Sequence, residues 1–454
     1  MSSPRRQHFW RSPRRLICRL RLAVSALALG LTLGLPNAFA LDLDDTEGLS
    51  NDTVAKRDRL RFWDNSKKYG AEAVGDRDRP YVEPEGIRLG NYVAFPSVGA
   101  LVIFDDNILG HDIEKRSDIR TELTAKTELS SQFSRHALDL SLDGKIVSYM
   151  DNSDQDYANV RAKIDGALQF DHANTLAVDL LSALEHEERT DPSYPLRARG
   201  PVEVFHNRAT TGITHDVSRL YGTISATAES WNYTNTAAID GSTLNEEARD
   251  TTIYSSQLRS GYRFSPGFEF VSKFKALKIE NRGDAKIDRD AWGFEALAGL
   301  VFESNPLLRW RILGGYGVRD FQQANLADVS ALLLQAEVQW LPTQRLSIYG
   351  TVARQFLDTT DITSSGATQS KLKIRAEYDV YHNIVLNGAI EFRRDDFGGI
   401  ERIDDSMIAS VGVDYFLSKN WLFTFGYEHQ IRDSTSDSQD MHRNRFMLGA
   451  KLRF

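Results

Sequence analysis

Charged side chains recur at every second position along several segments of this chain, a spacing that builds an ion-lined wall rather than a catalytic centre. Between residues 158 and 170, Asn159, Arg161, Lys163, Asp165 and Gln169 fall on one face, and Ala158, Val160, Ala162, Ile164, Leu168 and Phe170 on the other. The same split sets Lys371, Lys373, Arg375, Glu377 and Asp379 against Leu372, Ile374, Ala376, Tyr378 and Val380. Successive side chains of a strand point to opposite faces, so each segment has one apolar and one charged side. The candidates for lining a polar interior are Arg161, Lys163, Arg309, Arg311, Lys371, Lys373 and Arg375, with Glu295, Glu337 and Glu391 as counter-charges. Arg309, Arg311, Lys373 and Arg375 suggest a path for an anionic solute or polymer. The competing expectation for each is a cross-strand pair that merely solvates the wall.

Other chemistry is poorly supported. His186, His206 and His215 lie near acidic residues, which raises a membrane-embedded hydrolase, but nothing fixes a His-Ser or His-Asp pair at a defined spacing. The chain reads as no enzyme. Asp151-Asn-Ser-Asp-Gln-Asp156 and Asp433-Ser-Thr-Ser-Asp-Ser-Gln-Asp440 offer oxygen ligands, yet lack the spacing and glycine of a calcium loop. They read as solvated turns, and no metal or other cofactor is expected. The single cysteine, Cys18, lies in a segment expected to be removed, so disulfides and thiolate chemistry are not expected in the mature chain.

That segment is the amino terminus. Seven arginines (Arg5, Arg6, Arg11, Arg14, Arg15, Arg19, Arg21) precede an apolar run from Leu22 to Leu35 and then Asn37-Ala38-Phe39-Ala40. This is the pattern of a secretory signal peptide over residues 1–40, with Ala38 and Ala40 as the small residues at the cleavage site. Arg14-Arg15 belongs to the basic region rather than to a twin-arginine route, which carries folded cargo. Without these seven arginines, the chain's 55 basic residues fall to 48 against 63 acidic ones, a net charge of −15. Such a chain should not bind nucleic acid. Residues 41–85 form a polar arm, expected in the periplasm. A short helix is expected within it from Asn51-Asp52 through Val54 to Trp63, and Phe62-Trp63 are poised to dock on a partner or fold into a lumen as a plug.

From residue 86 to 454 the alternating segments run ten to seventeen residues, about twice the usual length of a soluble strand. Eighteen are counted, centred near residues 98, 125, 143, 163, 180, 208, 226, 256, 273, 296, 313, 334, 350, 375, 389, 411, 426 and 448. The joints alternate between short (134–136, 171–174, 265–267, 304–306, 342–343, 418–420) and long acidic ones (105–117, 186–201, 235–250, 281–290, 358–369, 395–405, 432–441). Outside the signal peptide no apolar run is long enough for a spanning helix, which in a membrane protein leaves a closed barrel. Even strand number, short periplasmic turns and long external loops predict an all-β, transmembrane, antiparallel up-and-down barrel of the outer-membrane type, with both termini in the periplasm. Trp292, Trp310, Trp340 and Trp421 lie near strand ends, as an aromatic girdle requires. The last residues add an assembly signal: Phe446, Leu448, Ala450, Leu452 and Phe454 share one face, and Met447, Gly449, Lys451 and Arg453 the other. The competing reading, a soluble sandwich, would turn the apolar face inward.

At the start of the barrel stand Arg88-Leu89-Gly90-Asn91-Tyr92, then Pro96-Ser97, then Phe104-Asp105-Asp106-Asn107-Ile108. Phe133-Ser-Arg-His136 with Ala137-Leu138, and an acidic loop from Tyr149 to Tyr157, follow. From about residue 86 to 170 this order resembles a family of outer-membrane β-barrel porins, the Putative beta-barrel porin 2 type, often linked to exopolysaccharide secretion. Physically, Leu89, Gly90, Pro96, Ser97, Asp105, Asp106 and Asn107 look structural: Pro96 marks a position without a ladder donor, and Asp105-Asp106-Asn107 a turn at the external rim. The resemblance implies a Gram-negative outer-membrane conduit for a secreted polysaccharide, working with a periplasmic export protein and an inner-membrane polymerase or transporter. The alternatives are a general diffusion porin for small solutes and a structural or adhesive barrel. Outer-membrane lipid, lipopolysaccharide and the β-barrel assembly machinery are the further expected partners. Deleting Phe454 is expected to remove most of the folded protein from the outer membrane while Phe454→Trp preserves it, as the folded, slow-migrating band of unheated gel samples would measure.

Overall fold

The computed structural model describes residues 73–75, 77, 79–282, 289–323, 326–357 and 364–454. The signal-peptide reading, with Ala38 and Ala40, and the helix through Phe62-Trp63 lie outside these residues. In chain order the strands are β1 (Ile87–Leu89), β2 (Tyr92–Asp105), β3 (Asp118–Ser131), β4 (Ala137–Tyr149), β5 (Tyr157–Gln169), β6 (Asn174–His186), β7 (Glu203–Val217) and β8 (Leu220–Tyr233). A two-residue pair follows, β9 (Thr236–Ala237) and β10 (Thr243–Leu244), confined to one loop. Then come β11 (Thr251–Ser265), β12 (Phe268–Asn281), β13 (Ala291–Asn305), β14 (Leu308–Phe321), β15 (Val329–Thr343) and β16 (Leu346–Leu357). The last five are β17 (Ala367–Tyr381), β18 (Ile384–Phe397), β19 (Arg402–Phe416), β20 (Trp421–Ser434) and β21 (Met441–Arg453).

Eighteen of these strands are long, with 12 to 15 residues each, more than the nine to eleven that a tilted strand needs to cross hydrocarbon. Each pairs antiparallel with its neighbours in sequence, and β2 pairs with β21 from Ser97↔Arg453 to Asp105↔Arg445, which closes the barrel. No helix of the described residues is long and apolar enough to cross a membrane; the strands do the crossing. The expected strand centres all fall within these strands. Two short turns absent from the sequence reading, Ser218-Arg219 and His382-Asn383, share the end that carries the other tight turns and both termini of the barrel. The joint expected over 395–405 contracts to residues 398–401, because β18 and β19 pair as far as Phe397↔Arg402.

The pattern of exposure is inverted relative to a soluble sandwich. Leu448, Phe446, Ile374, Leu372, Leu168 and Phe425 are each 40 to 61% exposed, whereas Arg443, Lys451, Arg453 and Lys373 on the opposite faces are buried. The apolar face therefore meets lipid and the polar face looks into the lumen. Trp310, Trp340 and Trp421 sit at the turn end and Trp292 at the loop end, so aromatics flank the apolar band on both sides.

The motif residues are concentrated at the seam. Gly90, with φ +64°, and Asn91 make a two-residue turn between Leu89 and Tyr92, the place where glycine relieves the side-chain clash of a primed turn. The resulting hairpin lays β1 along β2 from Ile87↔Ala94 to Leu89↔Tyr92. β21 takes over the same edge from Ser97 onward. Pro96 sits in the gap between the two partners, where no ladder donor is required; its carbonyl accepts the Phe454 amide at 3.0 Å.

At the other end of the seam, Asp105 takes two bonds from Arg443 Nε at 3.0 Å and one from its Nη2 at 2.5 Å. Asp106 accepts the Asn444 amide and side chain, each at 2.6 Å, and Asn107 donates to the His442 carbonyl at 3.0 Å. The expected rim turn is thus a clamp from the first long strand to the last. Asp105 and Arg443 are almost fully buried, and removing one partner of such a pair typically costs about 3–5 kcal/mol. Asp105→Ala is expected to lower the temperature at which the folded band is lost on gels well below that of Asp171→Ala, which alters an exposed turn.

A cationic chamber and its two covers

A cavity of about 1520 Å³ occupies the lumen. Its walls come from residues 95–192 on one side of the seam and from residues 349–453 on the other, with residues between 74 and 84 at one end, and among the described residues none of its lining comes from β7 to β15. The inner face of that remaining arc is packed instead. Val271, Leu297, Val301, Leu313, Ala331 and Leu333 form a buried apolar strip against Phe356. A charged lumen was the expectation; one arc packs an apolar strip among paired charges, and the chamber lies eccentrically beside the seam.

Among the described residues, thirteen arginine or lysine side chains and ten carboxylates line the chamber, in a chain whose overall charge is negative. The sequence candidates divide between the two regions. Arg161, Lys371, Lys373, Arg375 and Glu391 line the chamber; Lys163, Arg309, Arg311, Glu295 and Glu337 do not. Most are paired. Arg161 binds Glu185 at 2.6 Å, Lys371 and Lys373 face Glu391 at 3.3 and 3.9 Å, and Arg375 faces Glu377 at 3.3 Å while lying over the Tyr349 ring. Away from the chamber, Arg311 holds Glu337 at 2.9 Å, Arg319 holds Glu295 at 2.6 Å, and Lys163 bridges Asp165 and Asp179 at 2.8 Å each. Arg309 is buried on β14. The structure therefore splits the four-residue basic path: Lys373 and Arg375 reach the chamber, Arg309 and Arg311 do not.

The histidines considered for catalysis are held in other ways. His206 stacks on Trp231 with centroids 3.6 Å apart and meets Glu229 at 2.7 Å; His186 and His215 meet Asn159 and Asn174. The acidic turn carboxylates tie loops together: Asp118 accepts from the Asp151 and Asn152 amides, and Asp440 from the Ser434 amide.

Two covers narrow the chamber. At the turn end, residues 73–85 lie inside the barrel mouth along β16 to β21. Val74 joins an apolar cluster with Val82, Val385, Phe416 and Leu422. Its amide donates to Ser347 Oγ at 2.7 Å, and the Gly75 amide to Glu377 at 3.0 Å. Arg79 bonds Asp379 at 2.8 Å, Arg77 joins it there, and Arg453 donates to the Val82 carbonyl at 2.9 Å.

At the loop end, residues 187–202 fold inward over the chamber. They carry a small core of their own, with Tyr194, Ala198 and Val202 packed on Val204 and Tyr233. Arg249 clamps Glu187 at one end of the segment, contacting Oε2 at 3.0 Å. Across the mouth, Arg432 of β20 donates to the Thr190 carbonyl at 2.8 Å and Arg402 of β19 to that of Pro192 at 2.8 Å. Gly110, at φ +71°, lets the neighbouring loop pass close beneath: a Cβ there would sit 2.7 Å from the Arg189 carbonyl. These anchors leave Glu188, Thr190, Asp191 and Pro192 on the chamber wall.

The inward cover was not anticipated. Residues 186–201 read as an acidic external loop, and the sign of a core was apolar Tyr194 and Ala198 within it and Val202 just after it. Arg402 and Arg432, lying outside any motif, carried no signal that they would reach across.

A family model described as Putative beta-barrel porin 2 matches residues 79–454. The chain belongs to that family. Its members are porins, channels of the outer membrane, and this porin's closed eighteen-strand barrel has the corresponding form. Among solved structures, the porin is similar to Pseudomonas aeruginosa OccK2 (OpdF), solved in complex with glucuronate, at 9% identity and a TM-score of 0.44, with 79% of this chain and 98% of that one covered. It is also similar to Pseudomonas aeruginosa OpdL, at 13% identity and a TM-score of 0.43, covering 81% and 100%. Acinetobacter baumannii OccAB4 gives 9%, 0.43, 83% and 100%. No curated protein matches the chain. Since the arginines at 77 and 79 converge on one carboxylate, Asp379→Ala is expected to loosen the turn-end cover of this porin and raise its single-channel conductance in planar bilayers.

Proposed function

We propose that this porin is a selective outer-membrane channel for small anionic solutes. The observation that carries the reading is the excess of cationic over acidic side chains around the chamber, thirteen against ten among the described residues, in a chain with 63 acidic and 55 basic residues. In a low-dielectric tube such a local excess focuses field lines and enriches ions of the opposite sign. A barrel of this strand number leaves room for an aqueous path, and the inward segment places Glu188, Thr190, Asp191 and Pro192 on its wall. The pore-lining residues in this reading are Arg161, Lys371, Lys373 and Arg375 with Glu391.

The tight turns and both barrel termini then lie on the periplasmic side, and it is from there that the described residues of 73–85 enter the lumen. Phe446, Leu448, Leu452 and Phe454 form the lipid-facing signal read by the assembly machinery.

A second reading is export of an acidic exopolysaccharide. It is favoured by residues 73–85, which fill the turn-end mouth and would have to yield to a periplasmic partner before a polymer could enter. Both readings call for an anion-accepting wall. Reversal potentials across a salt gradient test the first: the protein is expected to be anion-selective, and Lys373→Glu with Arg375→Glu to shift it toward cations. Arg311→Glu, away from the chamber, should leave it unchanged. Cation selectivity in the unmodified protein would overturn the anion reading.

A further inference from the structure

Two opposite charges on the chamber wall stand apart from its paired network. Glu188 is exposed to the chamber, and among the described residues its carboxylate takes part in no hydrogen bond or ion pair. Lys145 of β4 lines the same chamber, with Nζ 5.7 Å from the centre of the Tyr157 ring, and among the described residues it takes part in no ion pair. Arg120, on β3, and Arg445, on β21, stand on the same wall and are already engaged with Glu122 and Glu428. Glu188 does not reach this basic band by chance motion. It is held between the Arg249 clamp on Glu187 and the Arg432 bond to the Thr190 carbonyl, one residue before it and two after.

We infer that Lys145, with Arg120 and Arg445 on the same wall, is a binding subsite for the carboxylate of a passing solute, and that Glu188 is a tethered carboxylate competing for it. The inference rests on the anion reading and deepens it by naming the solute class: carboxylates, of a size up to that of a monosaccharide, which the chamber holds with room to spare. A tethered group acts at an effective concentration in roughly the millimolar range. A free carboxylate therefore has to outcompete Glu188, binds weakly and leaves quickly, as transport rather than storage requires. Charge supports the arrangement. Burial pushes the Glu188 carboxyl up, but Arg120, Lys145, Arg443 and Arg445 outweigh it and hold it down at about 2. The stabilisation from its charge is complete above the ordinary value of 4.5 and is lost only as pH falls toward about 2, so the competitor stays ionised near neutrality.

The test is block of single-channel current by galacturonate, with galactose as the neutral control of matched size, in the full-length protein. Glu188→Gln removes the competitor and is expected to lower the half-blocking concentration of galacturonate by about tenfold, with galactose unaffected. Lys145→Gln is expected to raise it in both the native and the Glu188→Gln background. Glu188→Asp keeps the charge and should stay close to the native value, which separates loss of the competitor from loosening of the segment. An unchanged galacturonate response in folded Glu188→Gln, or an equal gain for galactose, would overturn the subsite. Should the native protein prove cation-selective while Glu188→Gln still tightens galacturonate block, the subsite stands and the general anion reading falls.

Discussion

Hydrocarbon offers no water to an unpaired amide, so everything in this porin depends on the sheet having no free edge. The seam between β2 and β21 meets that demand with two partners instead of one. β21 covers β2 from Ser97 to Asp105, and the β1 hairpin covers Tyr92 to Ala94. Proline stands at the changeover, and the buried Asp105–Arg443 contact fastens the far end. Gly90, Pro96 and Asp105 to Asn107, quoted for the family resemblance, are therefore devices of closure. They say that the barrel shuts, and are silent on what passes through it.

Once closed, the barrel is divided by function along its circumference. The arc from β7 to β15 packs its inner face with apolar and paired side chains, including the strip from Val271 to Leu333. The arc around the seam keeps an open, charged face, and both covers are fastened to it. The turn-end cover hangs from β16 to β21, and the loop-end cover crosses to Arg402 and Arg432 on β19 and β20. Paired charges such as Arg161–Glu185 contribute little net field, since in a solvated wall each largely cancels the other. On the anion reading, the discriminating charges are those left over.

The fold was legible to the level of strand number because period-two alternation is a local property, and every long strand carries it. Phe446 through Phe454 show it as plainly as Lys371 through Val380. The faces were legible as well, since lipid demands apolar residues at each outward position. The site was less so. Arg309 and Lys373 have the same signature in sequence, and only the curvature of the sheet puts one beside the apolar strip and the other on the chamber. Glu188 had no signature whatever: a glutamate in an acidic loop looks solvated, and what brings it indoors is a set of contacts to strands more than two hundred residues away. Loops turn inward through tertiary anchoring, which leaves no periodicity to read.

The eccentric chamber has a consequence for how such a wall can change. On the anion reading, scaffold and filter are carried by different strands of a single sheet, so substitutions that retune the filter need not disturb the packing that keeps the tube in shape. An arc with its interior already filled has little freedom; a neighbouring arc whose side chains end in water has a great deal. Diversification among related barrels would then be uneven around the ring, quick beside the seam and slow opposite it, although every strand is equally lipid-bound on its outer side.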